Sequence, residues 1–124
     1  ARINAGYKER IKLGNLKISR DWGWAPDYVD AIWRILQQRN PDDFIIATGK
    51  TISLQQFIEK SFSFFNLNWK EYVDTDDALM RPSDIQISRG NPAKAKKILD
   101  WSATKNIDEI INEMCIFAKK NINI

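Results

Sequence analysis

Apolar residues recur at helical spacing in four stretches of the chain. In PDYVDAIWRILQQ, Tyr28, Val29, Ile32, Ile35 and Leu36 fall at intervals of three and four, and Trp33 lies among them as a further core ring. Pro26 suits the first turn and Asn40-Pro41 stops the run. In SLQQFIEKSFSFF, Leu54, Phe57, Ile58, Phe62 and Phe65 share one face, and Ser53 with Gln56 forms a capping-box pair. NPAKAKKIL predicts a helix with Asn91 as cap and Pro92 at the first helical position. NIDEIINEMCIFAKK repeats the capping device with Asn106 and Glu109, and Lys119 and Lys120 lie where a helix C-terminus favours cations. Strands are shorter: FIIAT (Phe44 to Thr48) is a β-branched and aromatic run ended by Gly49, RIKLGNL alternates Ile11 and Leu13, and a third extended piece lies around Tyr72-Val73. Residues from Asp74 to Gly90, with Pro82 barring a continuous helix, read as one long irregular connection of the kind that carries function.

Helices and strands alternate without a regular period or internal repeat, which predicts a mixed α/β class of about four helices with short strands. A length of 124 residues suits a single domain, 1–124. With 44% hydrophobic and 28% charged residues the composition is that of a globular chain. No apolar run approaches the roughly 18 residues needed to span a bilayer, and no charged segment followed by an apolar stretch opens the chain, so a soluble, cytoplasmic protein with no membrane partner is expected. The only cysteine, Cys115, lies in an apolar-periodic segment and is expected to be a small buried hydrophobe. One cysteine and no histidine exclude an internal disulfide, a thiolate zinc site and Ser-His-Asp or Cys-His chemistry within this chain.

The net charge of +3 is uneven. Residues 1–20 carry six bases (Arg2, Lys8, Arg10, Lys12, Lys17, Arg20) against Glu9, whereas the remainder holds 13 bases against 15 acids, so the basic end is where an anionic partner would bind. ATGKTIS has the strand-loop-helix context of a phosphate loop, but the glycine required five positions before Gly49 is Phe44. DTDDALMRPSDI lacks the central glycine and terminal glutamate of a calcium loop and reads as a solvated turn. Five tryptophans in a basic chain suggest nucleic acid, yet Trp33 and Trp101 have packing contexts and only Trp22, Trp24 and Trp69 remain for base stacking. The basic patch is also too small for the six to ten phosphate contacts of typical tight binding, so no nucleic-acid partner is expected. Arg20 and Arg81 lie in irregular segments, where two planar guanidinium forks from different loops suit a diphosphate. The competing expectation is that Arg20 pairs with Asp21 or Asp27, and Arg81 with Asp84.

LGNLKISRDWGWAPDYVDAIWRILQQ, DDFIIATGKTISLQQFIEKSF, WKEYV, MRPSDIQ and GNPAKAKKILDW follow one another in that order. Together they resemble the C-terminal part of the GDP-mannose 4,6-dehydratase family, of the extended short-chain dehydrogenase/reductase superfamily, from about Ala1 to Met114. The resemblance implies the substrate-binding C-terminal portion of an NAD(P)-binding Rossmann-like fold. In the family, NADP sits on an N-terminal Rossmann domain and GDP-mannose in the smaller C-terminal domain. The sugar is oxidised at C4, loses water across C5 and C6 and takes the hydride back at C6, giving the GDP-4-keto-6-deoxymannose that leads to GDP-fucose and related deoxysugars. By the same resemblance Arg20 and Arg81 are diphosphate-binding, Asn15 lines the nucleotide pocket, and Asp84 stands near the ribose where a glutamate is usual. Trp22 and Trp24 would shape the wall that aims Arg20. Trp24, Pro26 and Asn4 depart from the histidine, lysine and lysine common in the family.

No G-x-x-G-x-x-G loop occurs, and Tyr7, Tyr28 and Tyr72 are followed four residues later by Ile11, Ile32 and Asp76, so no Tyr-x-x-x-Lys pair exists. The catalytic residues and the NADP site are therefore expected upstream of these residues, in an N-terminal Rossmann domain that this chain lacks. The chain by itself is expected to be inactive, and the full-length enzyme to be a homo-oligomer. The alternatives are the same portion of another nucleotide-sugar dehydratase, epimerase or reductase, or a non-catalytic nucleotide-sugar binding module.

Overall fold

Local capping chemistry sets the helix starts in the computed structural model, which describes residues 1–122. Helix α1 (Ala25–Leu36) carries Pro26 in its first turn. At α2 (Leu54–Ser63), Ser53 Oγ accepts the Gln56 N–H at 3.1 Å and Gln56 Oε1 accepts the Ser53 N–H at 2.9 Å, which completes the capping box. Helix α3 (Ala93–Leu99) starts one residue later than its pattern implies, because Asn91 Oδ1 accepts the Ala93 N–H at 3.0 Å and leaves Pro92 as the cap. Helix α4 (Ile107–Lys120) is opened by the reciprocal Asn106 and Glu109 bonds.

The strands are β1 (Ile11–Leu13), β2 (Ser19–Arg20), β3 (Ile52–Ser53) and β4 (Val73–Thr75). β1 pairs in parallel with β4, Ile11 opposite Val73 and Leu13 opposite Thr75, and Arg10 Nε donates to Asp74 Oδ2 at 2.6 Å beside the pair. That hydrogen bond and the guanidinium charge hold the Asp74 carboxyl below its usual range. β2 pairs antiparallel with β3, Arg20 opposite Ile52, and its Ser19 also bridges to Ile87. The segment from Asp74 to Gly90 is irregular beyond β4, apart from one 3-10 turn at Asp77–Leu79 and that bridge.

The FIIAT run does not form a strand. Strand propensity is a preference for a pleated, paired surface, and among the described residues no strand pairs with it. Its apolar residues are divided instead: Phe44 and Ile46 pack on the core, Ala47 is buried and Ile45 faces out.

One core cluster joins Ala31, Ala95, Leu99 and Trp101, with Tyr28, Ile35, Phe44 and Ile46 against it. Trp101 is 2% exposed and its indole N–H donates to the Asp27 carbonyl at 2.9 Å. Arg34 Nη1 donates to the carbonyls of Leu99 and Asp100 at 3.1 and 2.7 Å, so a cation satisfies the C-terminus of α3. A second cluster joins Leu16, Ile58 and Val73, with Leu13, Leu54, Phe62 and Trp69 around it. Cys115 is buried on α4 with its Sγ 4.0 Å from the Ser61 carbonyl oxygen, and burial pushes its thiol pKa up.

Trp33 is not a core residue. Val29, Ile32, Trp33 and Leu36 are 65%, 57%, 61% and 75% exposed, and they form a continuous i, i+3, i+4, i+7 stripe on the outer side of α1. The buried side of the helix is built from Asp27, Tyr28, Ala31 and Ile35. Trp101→Ala is expected to destabilise the 124-residue chain by about 3–5 kcal/mol and Trp33→Ala by less than about 0.5 kcal/mol in urea unfolding.

Candidate functional site

Three charged side chains in the segment from Arg20 to Asp27 each hold a different distant loop. Arg20, at the end of β2, donates from Nη1 to the Ser19 and Ile85 carbonyls at 2.9 and 2.7 Å and from Nη2 to Asp84 Oδ1 at 3.0 Å. The Ser19 N–H donates to the Gln86 carbonyl at 2.8 Å and the Ser88 N–H returns to the Ser19 carbonyl at 3.0 Å, so residues 84–88 are laid along β2. The expected pairing of Arg20 with Asp21 or Asp27 is not found, nor that of Arg81 with Asp84: among the described residues Asp84 pairs with Arg20. Both nearer carboxylates are already taken by N–H and hydroxyl donors.

Asp21 accepts the Thr48 N–H at 2.9 Å, the Thr48 hydroxyl at 2.7 Å and the Gly49 N–H at 2.8 Å. Gly49 stands at φ +79°, a conformation that favours glycine and turns its N–H toward this carboxylate. The loop of ATGKTIS therefore spends its donors on an internal anion and offers no phosphate cradle. Asp27, the buried charged residue of the core, accepts the Thr104 N–H at 2.9 Å and the Thr104 hydroxyl at 2.6 Å. Between the two acids, a Cβ on Gly23 would lie 2.1 Å from the Tyr28 hydroxyl, so any larger residue there would displace the Tyr28 ring. Burial first, then Asp21 and Asp27, push the Tyr28 phenol pKa up and keep it protonated.

The flanking rings are structural. Trp22 packs on Phe57 with centroids 5.0 Å apart, its indole nitrogen buried without a partner. Trp24 lies under Lys105 Nζ, 4.4 Å from the ring centroid, and Trp69 belongs to the second core.

Of the four residues singled out from the sequence, the structure brings Arg20 and Asp84 into contact, half-buried with side chains 27% and 15% exposed. Asn15 lies in the turn before β2, where its Oδ1 accepts the Lys17 N–H at 2.9 Å. Arg81 is exposed, three residues before Asp84, and makes no salt bridge among the described residues. Arg20 keeps two N–H donors, at Nε and Nη2, with no protein acceptor among the described residues. These residues lie outside an apolar hollow of about 570 Å³ between the N-terminal turn, α2 and α4. Among the described residues no three His, Cys, Asp or Glu are placed to hold a metal ion, and no helix is long and apolar enough to cross a membrane. Sequence reasoning missed Asp21 and Asp27 as loop anchors; the available signal was an acid on either side of the GWAP turn, each facing loops rich in N–H and hydroxyl donors.

Solved structures define the class. RMD from Pseudomonas aeruginosa complexed with NADPH matches with a TM-score of 0.80 over 93% of this chain and 38% of that one, at 19% identity. The dTDP-glucose 4,6-dehydratase of Bacillus anthracis in complex with NAD matches with a TM-score of 0.82 over 96% and 37%, at 18% identity. The chain thus shares its mixed α/β fold with a portion of each of these proteins. A family model for GDP-mannose 4,6 dehydratase matches residues 1–114. Among curated relatives, GDP-mannose 4,6 dehydratase 2 of Arabidopsis thaliana is 40% identical over 91% of this chain and 30% of its own length. The human GDP-mannose 4,6 dehydratase is 37% identical over 92% and 35%. The chain belongs to the GDP-mannose 4,6-dehydratase family and spans about a third of the length of these relatives.

Asp21→Ala leaves the Thr48 and Gly49 N–H groups without an acceptor. The expected cost is about 1–3 kcal/mol in urea unfolding, with faster amide hydrogen exchange at residues 48–50.

Proposed function

We propose that the chain is the nucleotide-sugar-binding portion of a GDP-mannose 4,6-dehydratase, a lyase that uses NADP in its full-length form. The observation that carries this reading is Arg20. It is a guanidinium held on three sides by β2 and residues 84–85, with two N–H donors left for a ligand, in a chain of this family. A diphosphate seated on that free edge would take charge-assisted hydrogen bonds from Nε and Nη2, and Arg81 would add a second positive charge from the loop three residues before Asp84. Asn15, whose carbonyl oxygen is occupied in its own turn, retains amide N–H donors for the nucleotide.

The described residues do not fit NADP. No glycine-rich loop is present, and the turn at Thr48 and Gly49, whose sequence suggested a phosphate loop, has its N–H donors bound to Asp21. Hydride transfer, elimination and the NADP site are accordingly assigned to the part of the protein outside these residues. The same reading gives the outer stripe of α1 an occupant. Val29, Ile32, Trp33 and Leu36 would be covered by the Rossmann domain that completes the enzyme. Localisation in the cytoplasm and assembly into homo-oligomers belong to the same proposal.

The test is GDP binding by calorimetry with the full-length protein, compared with UDP and dTDP. Arg20→Ala and Arg81→Ala are each expected to raise the GDP Kd by roughly 5- to 150-fold, the equivalent of about 1–3 kcal/mol. A preference for UDP or dTDP, or unchanged affinity in both variants, would overturn the assignment. For the covered stripe, Trp33→Ala is expected to lower the stability of the full-length protein by about 3–5 kcal/mol, while leaving the isolated chain nearly unchanged. Equal effects in both would remove the Rossmann domain as its occupant.

A further inference from the structure

We infer that residues 1–6 are the closing turn of an amphipathic helix whose body precedes Ala1 in the full-length protein, and that this helix packs its apolar face into the hollow between α2 and α4. The inference rests on the reading that these residues are part of a longer enzyme and is independent of the diphosphate assignment. The turn has the hydrogen bonds of a helix end. The Ala5 N–H donates to the Ala1 carbonyl at 3.0 Å, four residues back, which is an α-helical bond. The Gly6 N–H donates to the Ile3 carbonyl at 3.0 Å and the Tyr7 N–H to the Arg2 carbonyl at 3.2 Å, with Gly6 at φ +93°. That pair of bonds around a left-handed glycine is the Schellman closure of a helix C-terminus. The side-chain contact that accompanies the closure is present as well, with the Arg2 guanidinium carbon 4.5 Å from the Tyr7 ring centroid.

A helix that started at this turn would carry an extended capping residue in front of it. Arg2 stands there with φ −57° and ψ −45°, which is helical, and makes no side-chain capping bond. A single turn does not repay the cost of its own nucleation, so a full C-terminal closure implies a longer helix behind it. The hollow lies where that helix arrives. Ala1 and Ile3 line it whereas Gly6 and Tyr7 do not, so the chain leaves the turn backwards from the wall of the cavity. Phe62 and Phe65 line the opposite side, and Met114 and Phe117, 51% and 69% exposed, line a third. Exposed apolar groups around a cavity of about 570 Å³ fit the apolar stripe of a helix better than they fit water. Continuing the phase of Ile3 backwards puts that stripe on the residues three, four and seven positions before it. Glu9 accepts from Arg2 Nε at 2.8 Å and ties the helix end to the approach of β1.

Disulfide trapping in the full-length protein tests the placement. Cysteines are introduced singly along the segment before Ala1, and Cys115, which lines the hollow, is the reporter. Burial raises its thiol pKa and slows oxidation, so trapping is done at alkaline pH and repeated with Ala118→Cys, an exposed position on the same wall. A disulfide needs Cβ atoms about 3.5–4.5 Å apart, so only the face turned to α4 can react. Peptide mapping is expected to find intramolecular disulfides from the positions three, four and seven before Ile3, and their loss at the positions five and nine before it, on the opposite face. Trapping without regard to helical phase, or none with either reporter, overturns the inference. Disulfides between two molecules make the occupant a second copy of the chain and overturn it too. Hydrogen exchange of the unsubstituted full-length protein covers variants that fail to fold. Amides in the turns just before Ala1 are expected to be protected, and exchange there at the rate of an open chain overturns the inference without any substitution. A full-length protein that traps in phase yet does not bind GDP leaves the inference standing and removes the diphosphate reading.

Discussion

Three charged side chains between Arg20 and Asp27 tie loops that are distant in sequence to one segment of the chain. Each faces a loop that has little regular structure to hold it: residues 84–88 on Arg20, residues 48–49 on Asp21, and Thr104 on Asp27. Strands of two or three residues contribute few ladder bonds, and a domain built from them needs other long-range ties. Charge-assisted bonds to backbone groups fill that need because they are short, directional and roughly twice as strong as neutral ones. Most of the polar capacity of the segment is thus spent inside the protein, and the unspent edge of Arg20 stands out by contrast.

Helix α1 shows how one amphipathic segment divides its labour. Its inner side is formed by small and bulky residues in alternation, Ala31 at zero exposure beneath Tyr28 and Ile35, and this allows close approach to α3. Its outer side presents large apolar groups to solvent at the spacing that a buried helix face would have. A helix apolar on both sides belongs between two layers, and the described residues supply one of them.

What could be read from the sequence divides along the range of the interactions concerned. The capping boxes at Ser53 and Asn106 were legible because both partners lie within four residues. β1 and the extended piece at Val73 were legible from composition, although their parallel pairing was not. Phe44 to Thr48 failed as a strand because its propensity describes a fit to a neighbour that is missing among the described residues. Trp33 and Trp101 both read as packing residues along the chain, and only the third dimension separates a ring at 61% exposure from one at 2%. The pairing of Arg20 was misread for a similar reason: the adjacent acids were the obvious partners, but their lone pairs were claimed by Thr48, Gly49 and Thr104. Arg20 and Arg81 were singled out by their place in irregular segments, whereas Asn15 and Asp84 were found through family motifs alone.

The ties that bind Arg20 also span time. Asp84 follows it by 64 residues and Ile85 by 65. At the usual pace of synthesis that separation corresponds to roughly 3–13 s between the emergence of the guanidinium and that of its partners. During that interval β2 has no grip on its side chain, and β1 waits as long for β4. The nascent chain therefore holds its basic end open until the second half arrives, and Arg20 is oriented only once residues 84 and 85 have emerged.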